Sequence, residues 1–367
     1  MIDRRNFSKT FMATLGSLAV ANPLFSNDLL DDFKKSNPKK LGIALVGLGN
    51  YSKNQLAPAL EKTEFCELKA VVTGTPSKAK TWQAKYNLSG KNIYNYENFD
   101  SIASNSEIDI VYIVLPNSMH KEYTIRAARA GKHVICEKPM AMNSMEAEQM
   151  ISEVAKAGKK LFIGYRLHYE PHNIEAMRIG QNQVFGKVKI LNCSFGFRIG
   201  DPTQWRLKHS LAGGGALMDV GIYAIQGARY STGEMPFSIT AQEYKTDKVK
   251  FSEVDETIFW QMEFPSGAVA SCITTYASYI ERLYLSSERG FVDLSPAYSY
   301  GSIGGRLRRK PLDFPQVNQQ QLHMDGISYS LQTGTKAKNI YGDEGLKDMN
   351  IIDAIYKAVA TGEKVII

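Results

Sequence analysis

The apolar run Leu41-Gly42-Ile43-Ala44-Leu45-Val46 leads directly into Gly47-Leu48-Gly49-Asn50-Tyr51-Ser52. A strand that is apolar without alternation is buried on both faces, as in the centre of a parallel sheet. A helical segment follows, to about Lys62. Strand, G-x-G-x-x-S turn and helix together form a variant of the dinucleotide fingerprint. Gly47 allows the tight turn, Gly49 lets the backbone approach a pyrophosphate, and Ser52 is small enough for close helix–strand packing. The phosphates then sit at the helix N-terminus, where free N–H groups and the dipole favour negative charge. Leu48, Asn50 and Tyr51 complete the predicted binding loop.

The alternation of strand and helix continues. A second strand, Leu68–Val72, ends in Thr73-Gly74-Thr75-Pro76-Ser77-Lys78. An NAD site usually places a carboxylate here for the ribose 2′-hydroxyl. Hydroxyls and a lysine stand there instead, so Gly74, Thr75 and Lys78 predict NADP, with NAD as the alternative. The strand Ile110–Leu115 leads to Pro116-Asn117-Ser118-Met119-His120. Strand ends line the crevice of an open α/β sheet, so Leu115, Pro116, Asn117 and His120 are expected beside the cofactor. His120 reads as a helix cap or cofactor contact rather than an acid–base group, because it has no evident partner. The strand His133–Cys136 brings Glu137-Lys138-Pro139 to the same edge, and the strand Leu161–Ile163 closes the unit.

At 367 residues the chain is long enough for two domains. After Gly164 long β-rich runs replace the alternation: Val188–Arg198, Ser238–Tyr244, Thr257–Phe264, Ala268–Tyr276, Leu283–Ser286 and Gly290–Leu294. The expected fold is therefore α/β. A Rossmann dinucleotide-binding domain over 40–163 precedes an α+β domain over 164–367 with a large, mostly antiparallel sheet. Helices near Ile174–Ile179 and Val220–Ser231 would cover one face of that sheet. A partner subunit's sheet would cover the other, giving a homodimer or homotetramer. The segment Leu346–Ala360 has helical spacing and is expected to pack back on the first domain.

The net charge of +7 is modest for this length, and the cluster Arg306–Lys310 reads as a solvated loop, so no nucleic-acid binding is indicated. The four cysteines, Cys66, Cys136, Cys193 and Cys272, have no metal-ligand spacing, and no metal site is expected. Arg4-Arg5 precede an apolar stretch from Phe11 to Ala21 that is too short to span a bilayer. Ala19-Val20-Ala21 offers a small-x-small cleavage site. Residues 1–21 thus resemble a twin-arginine signal, read by that export machinery and leading to the periplasm. Residues 22–39 read as a polar arm. A nicotinamide cofactor carried outside the cytoplasm must be loaded beforehand, held tightly and regenerated on the protein.

Several motifs together resemble the glucose–fructose oxidoreductase and inositol dehydrogenase family. They are the G-x-G opening, Glu137-Lys138-Pro139, Gly164 to Asn173, Trp205-Arg206 and Gly213 to Tyr230. The resemblance spans roughly residues 40–367, and the Asp-x-Gly-x-Tyr core and export signal are most similar to the glucose–fructose oxidoreductase branch. It implies that Lys138 is the catalytic lysine, Asp219 the substrate-binding acid and Tyr223 the proton-transfer residue. Many members carry histidine where this chain has Tyr223. It also implies that Arg166, Trp205, Arg206 and Tyr298 contact the cofactor.

Asp219 and Tyr223 are four residues apart, so on a helix they share a face. Oxidising a sugar hydroxyl removes its proton as hydride leaves, and a nearby ammonium favours the phenolate that takes it. Tyr223 would then be base in oxidation and acid in reduction. The leading expectation is an NADP-dependent sugar oxidoreductase. A nicotinamide-dependent glycosidase and a non-catalytic sugar or nucleotide sensor are the alternatives.

Overall fold

The computed structural model describes Lys34, residues 38–337 and residues 339–367. The export signal expected over 1–21 and nearly all of the arm expected over 22–39 lie outside the described residues. The first domain is built on β1 (Leu41–Val46), β2 (Cys66–Val72), β3 (Ile93–Tyr94), β4 (Ile110–Ile113), β5 (His133–Cys136) and β6 (Leu161–Ile163). All pair in parallel, in the order β3-β2-β1-β4-β5-β6. Ile43 to Val46 are fully buried, which is why β1 shows no polar alternation. The strand order reverses between β1 and β4, so the loops after β1, β4 and β5 open onto one crevice. After β1 a π-helical turn, Ser52–Leu56, runs into α1 (Ala57–Leu60). The helices α2 (Pro76–Lys85), α3 (His120–Arg129) and α4 (Ser144–Lys156) make the crossovers.

A helix α5 (Pro171–Gln181) leads into the second sheet. Its strands are β7 (Val188–Gly196), β8 (Ser238–Tyr244), β9 (Thr257–Glu263), β10 (Val269–Thr275), β11 (Ile280–Ser287), β12 (Gly290–Leu294), β13 (Gly305–Leu307), β14 (Lys310–Leu312) and β15 (Val365–Ile366). The order is β14-β13-β12-β11-β7-β10-β9-β8-β15. Only β7 and β10 run parallel; every other pair is antiparallel. A short helix α6 (His209–Ala212) precedes a π-helical turn, Leu217–Gly221, that continues as α7 (Ile222–Thr232). The helix α7 packs against α5 and β7. The opposite face of the sheet leaves Ile190, Phe259 and Val269 exposed.

Two features depart from the sequence reading. The basic cluster is not a loop: Arg306 to Lys310 forms the β13–β14 edge hairpin, with Arg308 at a φ of 56° in its turn. Such charge on an edge strand discourages pairing with other chains. The helix α8 (Gln319–Thr333) carried no amphipathic signal, because it buries Gln319, Gln320, His323, Asp325 and Ser328 alongside Met324 and Ile327. Three of them have partners: Asp325 accepts from the Glu64 and Phe65 amides at 2.9 Å each, His323 Nε2 lies 3.0 Å from the Ile163 carbonyl, and Gln319 Nε2 donates to the Ser299 carbonyl at 3.0 Å. The four cysteines are buried free thiols.

The last helix, α9 (Gly342–Thr361), packs against α4 and β8 and so touches both sheets' layers. At its centre Asp348, fully buried, gathers three donors. Tyr165 Oη reaches it at 2.7 Å, Gln226 Nε2 at 2.8 Å and Arg229 Nε at 2.9 Å. Arg229 also donates to Glu344 at 2.7 Å. One carboxylate thus fastens the segment after β6, the helix α7 and the helix α9. Replacing it leaves buried donors and a guanidinium short of an acceptor. Asp348→Ala is expected to cost about 3–5 kcal/mol, measured as a lower urea midpoint for the whole chain.

Candidate active site at the junction of the two sheets

The fingerprint turn is tightly determined. Gly47 has a φ of 92°, and a Cβ there would lie 2.3 Å from the Val114 carbonyl oxygen. Ser52 does more than stay small: its buried hydroxyl donates to the Gly47 carbonyl at 2.6 Å. Gly49 is exposed, and a Cβ on it would meet nothing within 4 Å, so open space adjoins the backbone where a diphosphate is expected. Asn50 is exposed beside it, while Leu48 is buried beneath. At the end of β2, Gly74, Thr75 and Lys78 are exposed, and the first turn of α2 contains no acidic residue. These residues fit a dinucleotide carrying a 2′-phosphate.

The loop after β4 differs from its reading. His120 is fully buried, with Nδ1 2.9 Å from the Pro139 carbonyl and Nε2 2.9 Å from that of Leu115. It neither caps α3 nor presents its ring to the crevice. It ties the β4 loop to the β5 loop, and burial pushes its pKa down. Asn117 is also committed, its Nδ2 donating to the Ala212 carbonyl at 2.8 Å across the domains. Pro116 and Leu115 lead into this knot.

From the end of β5, Lys138 reaches the second domain. Its Nζ lies 2.5 Å from the Asp219 backbone carbonyl and 3.3 Å from Asp219 Oδ1. The same ammonium stands 5.0 Å from the centre of the Tyr223 ring. The π-helical turn keeps Asp219 and Tyr223 on one side, and Lys138 meets both. Asp219 Oδ2 accepts from Arg206 Nε at 2.9 Å and from Tyr276 Oη at 3.0 Å. Burial alone would raise the Asp219 pKa, but Arg206, Lys138 and the Tyr276 hydroxyl outweigh it and hold it down at about 2. Burial likewise opposes the charge on Lys138, yet Tyr223 and Asp219 leave its pKa raised. Glu137 accepts from Tyr112 Oη at 2.7 Å, and burial pushes its carboxyl up.

The turn carrying Asp219 is anchored by a residue without a sequence signature. Asp255 accepts from the Gly215 amide at 2.6 Å, the Leu217 amide at 2.8 Å and Tyr356 Oη at 2.7 Å. A Cβ on Gly215 would lie 1.9 Å from the Asp255 carbonyl oxygen, so only glycine allows this approach. The nearest signal was the run Gly213-Gly214-Gly215 itself.

Arg166 is buried and donates to the carbonyls of Tyr298 and Ser299 and to Gln319 Oε1. Its Nε has no partner among the described residues, and its guanidinium lies 5.2 Å from the Tyr223 ring. Arg206 stacks on Trp205 at 4.7 Å, so the pair flanks Asp219. Tyr298 corrects an expectation. It is fully buried behind Tyr223, with ring centres 6.0 Å apart, and its hydroxyl donates to the Arg282 carbonyl at 3.2 Å. The aromatic that faces the crevice is Tyr300, over Arg166 at 4.3 Å and 5.7 Å from Tyr51. Among the described residues no group of three or more His, Cys, Asp or Glu side chains could hold a metal ion.

This geometry agrees with the comparisons to known proteins. The family described as an oxidoreductase family with an NAD-binding Rossmann fold matches residues 41–165. The GFO/IDH/MocA C-terminal domain matches residues 174–292. The chain belongs to the GFO/IDH/MocA oxidoreductase family. It is an enzyme built on an NAD-binding Rossmann domain and a second, mostly antiparallel sheet. The structure of an aldose-aldose oxidoreductase from Caulobacter crescentus, complexed with glycerol, is 43% identical with a TM-score of 0.86. The match covers 90% of this chain and 100% of that one. A D-xylose 1-dehydrogenase [NADP(+)] from Haloarcula marismortui is 29% identical over 87% of this chain and 91% of its own. KijD10, a 3-ketoreductase from Actinomadura kijaniata in complex with NADP and TDP-benzene, shares the fold at 19% identity and a TM-score of 0.74, over 88% of this chain and 98% of its own.

Asp219 ionises more readily in the folded chain than in the unfolded one, which therefore binds the proton first on acidification. Its contribution is complete above about pH 5 and is lost as pH falls through about 4 towards about 2. The stability difference between the parent chain and Asp219→Asn, followed by circular dichroism, should be flat above about pH 5. It should shrink by about 2 kcal/mol between about pH 4 and 2.

Proposed function

We propose that this GFO/IDH/MocA oxidoreductase is an exported, NADP-dependent enzyme of the glucose–fructose oxidoreductase branch that acts on sugars. It oxidises an aldose at C1 to a lactone and reduces a second carbonyl sugar. The observation that carries this reading is the meeting of Lys138, Asp219 and Tyr223 beside the fingerprint crevice. The likeness to an aldose-aldose oxidoreductase along that protein's full length supports it. The absence of a carboxylate at the start of α2, together with Lys78, supports NADP.

Gly47 to Ser52, Gly74 to Lys78 and Glu137-Lys138 would hold the nucleotide, whose part is to accept and return hydride. The chain's own part is proton transfer and positioning. Tyr223 Oη takes the proton of the sugar hydroxyl in oxidation and gives one back in reduction. Lys138 orients that hydroxyl and offsets negative charge developing on it. Asp219 is already engaged at both oxygens. Among the described residues Oδ1 has only Lys138 at 3.3 Å, so it retains a lone pair for a neighbouring sugar hydroxyl. Arg166, beneath the Tyr223 ring, adds a second fixed positive charge.

Residues 1–21 would direct the folded, cofactor-loaded chain through the twin-arginine machinery to the periplasm. There the second sugar restores the nucleotide without its release. The exposed Ile190, Phe259 and Val269 on the open sheet face support a homo-oligomer through that face. Light scattering is expected to give a dimer or tetramer, and a monomer at all concentrations would remove this part of the reading.

The decisive test is kinetic, on protein purified with its nucleotide and supplied with aldoses. Tyr223→Phe and Lys138→Met should each lower kcat by about 10²–10⁴-fold while the nucleotide remains bound. Near-parental turnover in both variants would overturn the assignment.

A further inference from the structure

Tyr300 has no part in the proton transfer above, yet it is placed with unusual care. Its residue is 50% exposed, but the loop that carries it is pinned from several sides. Arg166 holds the Tyr298 and Ser299 carbonyls. Glu281 accepts from the Tyr298 amide, and from Ser299 Oγ at 3.1 and 3.0 Å. Gln319 Nε2 donates to the Ser299 carbonyl at 3.0 Å. An aromatic on a free loop samples many orientations; this one is delivered to a fixed position above the Arg166 guanidinium, 4.3 Å from its ring centre.

That position faces Tyr51. The two ring centres are 5.7 Å apart with planes inclined by 32°. Tyr51 belongs to the fingerprint turn, two residues beyond the exposed Gly49 backbone. Tyr300 belongs to the second domain. Their contact therefore spans the crevice from the cofactor wall to the substrate wall. The Tyr300 phenol also feels the catalytic groups. Partial burial of its hydroxyl, and then the neighbouring Tyr223, raise its pKa, so it is an uncharged ring at neutral pH.

We propose that Tyr51 and Tyr300 form an aromatic clasp that keeps the nucleotide on the chain between the two half-reactions. This rests on the proposed function, in which one nucleotide serves successive sugars and has no need to leave. In this reading a nucleotide lying along the Gly49 backbone leaves past the two rings, and parting them removes the ring–ring contact and uncovers the Arg166 guanidinium. An aromatic pair reinforced by a cation corresponds to roughly one decade in a dissociation rate.

The test uses the full chain loaded with NADPH and chased with excess NADP+, following loss of bound nicotinamide fluorescence. Tyr300→Ala and Tyr51→Leu should each release NADPH about tenfold faster than the parent. Tyr300→Phe should release it at the parental rate, because the clasp uses the ring and not the hydroxyl. The double variant should release it no faster than either single one, since both remove the same contact. If Tyr300→Ala fails to fold, Tyr51→Leu and Tyr300→Phe carry the comparison. Parental release rates in Tyr300→Ala and Tyr51→Leu, or effects that simply multiply, would overturn the clasp. A parent chain that binds no NADPH and transfers no hydride would instead overturn the proposed function itself.

Discussion

One ammonium joins the two halves of the molecule. Lys138 leaves the end of a strand in the parallel sheet and ends against the turn that opens α7 in the other domain. A largely buried lysine and a largely buried aspartate are each costly alone, because burial penalises charge. Each offsets part of that cost for the other. The relative position of the domains is therefore part of the electrostatics of the site. Arg206 and Tyr276 complete the arrangement from the Asp219 side, so its carboxylate is held from three directions before any substrate arrives.

Holding Asp219 requires that its turn be held first. Asp255 does this by accepting the Gly215 and Leu217 amides, which the start of a helix leaves without intrahelical partners. The close approach admits no side chain at 215, so the glycine run and Asp255 are two halves of one device. Tyr356, on α9, donates to the same carboxylate and so links the turn to the helix that also carries Asp348. Both ends of the helix region that carries Asp219 and Tyr223 are thus tied to α9: Asp255–Tyr356 at its start, and Arg229–Asp348 near its end. The last helix of the chain is a brace for the site and not only a cover for the first domain.

What the sequence disclosed follows from locality. The strand before the fingerprint, the glycines within it, Glu137-Lys138 and the four-residue spacing of Asp219 and Tyr223 are local patterns, and local patterns survive translation into structure. Asp255, Tyr276 and Tyr356 act through contacts between residues distant in sequence, and no spacing rule reports them. His120 shows the opposite error. A histidine at a strand end invites a functional reading, but here its two nitrogens join two loops by way of carbonyls. Tyr298 and Tyr300 show how little separates the two outcomes. They lie two residues apart in an irregular loop, where no strand period fixes which side chain turns outward. The helix α8 stayed hidden for a compositional reason. Its buried face is largely polar, and a polar buried face looks like a solvated one until its partners are known.

The charge balance of the crevice bears on the direction in which such a site favours electrons. Lys138, Arg166 and Arg206 bring positive charge to it, whereas Asp219 is its firmly ionised carboxylate. Glu137 stands close by; burial works against its negative form, although the Tyr112 hydroxyl and Lys138 favour it. The excess is positive. Fixed positive charge in a partly dry cleft favours any step that adds electron density to what is bound there. Under the proposed reaction that means drawing the proton from a sugar hydroxyl and accepting the hydride that follows. The return step needs the opposite, and in it Tyr223 must supply the proton. A site that runs both directions on one nucleotide therefore works best when its excess charge is small. Asp219, by cancelling part of the charge of Lys138 and Arg206, sets that excess as well as, in the proposed reaction, holding the sugar.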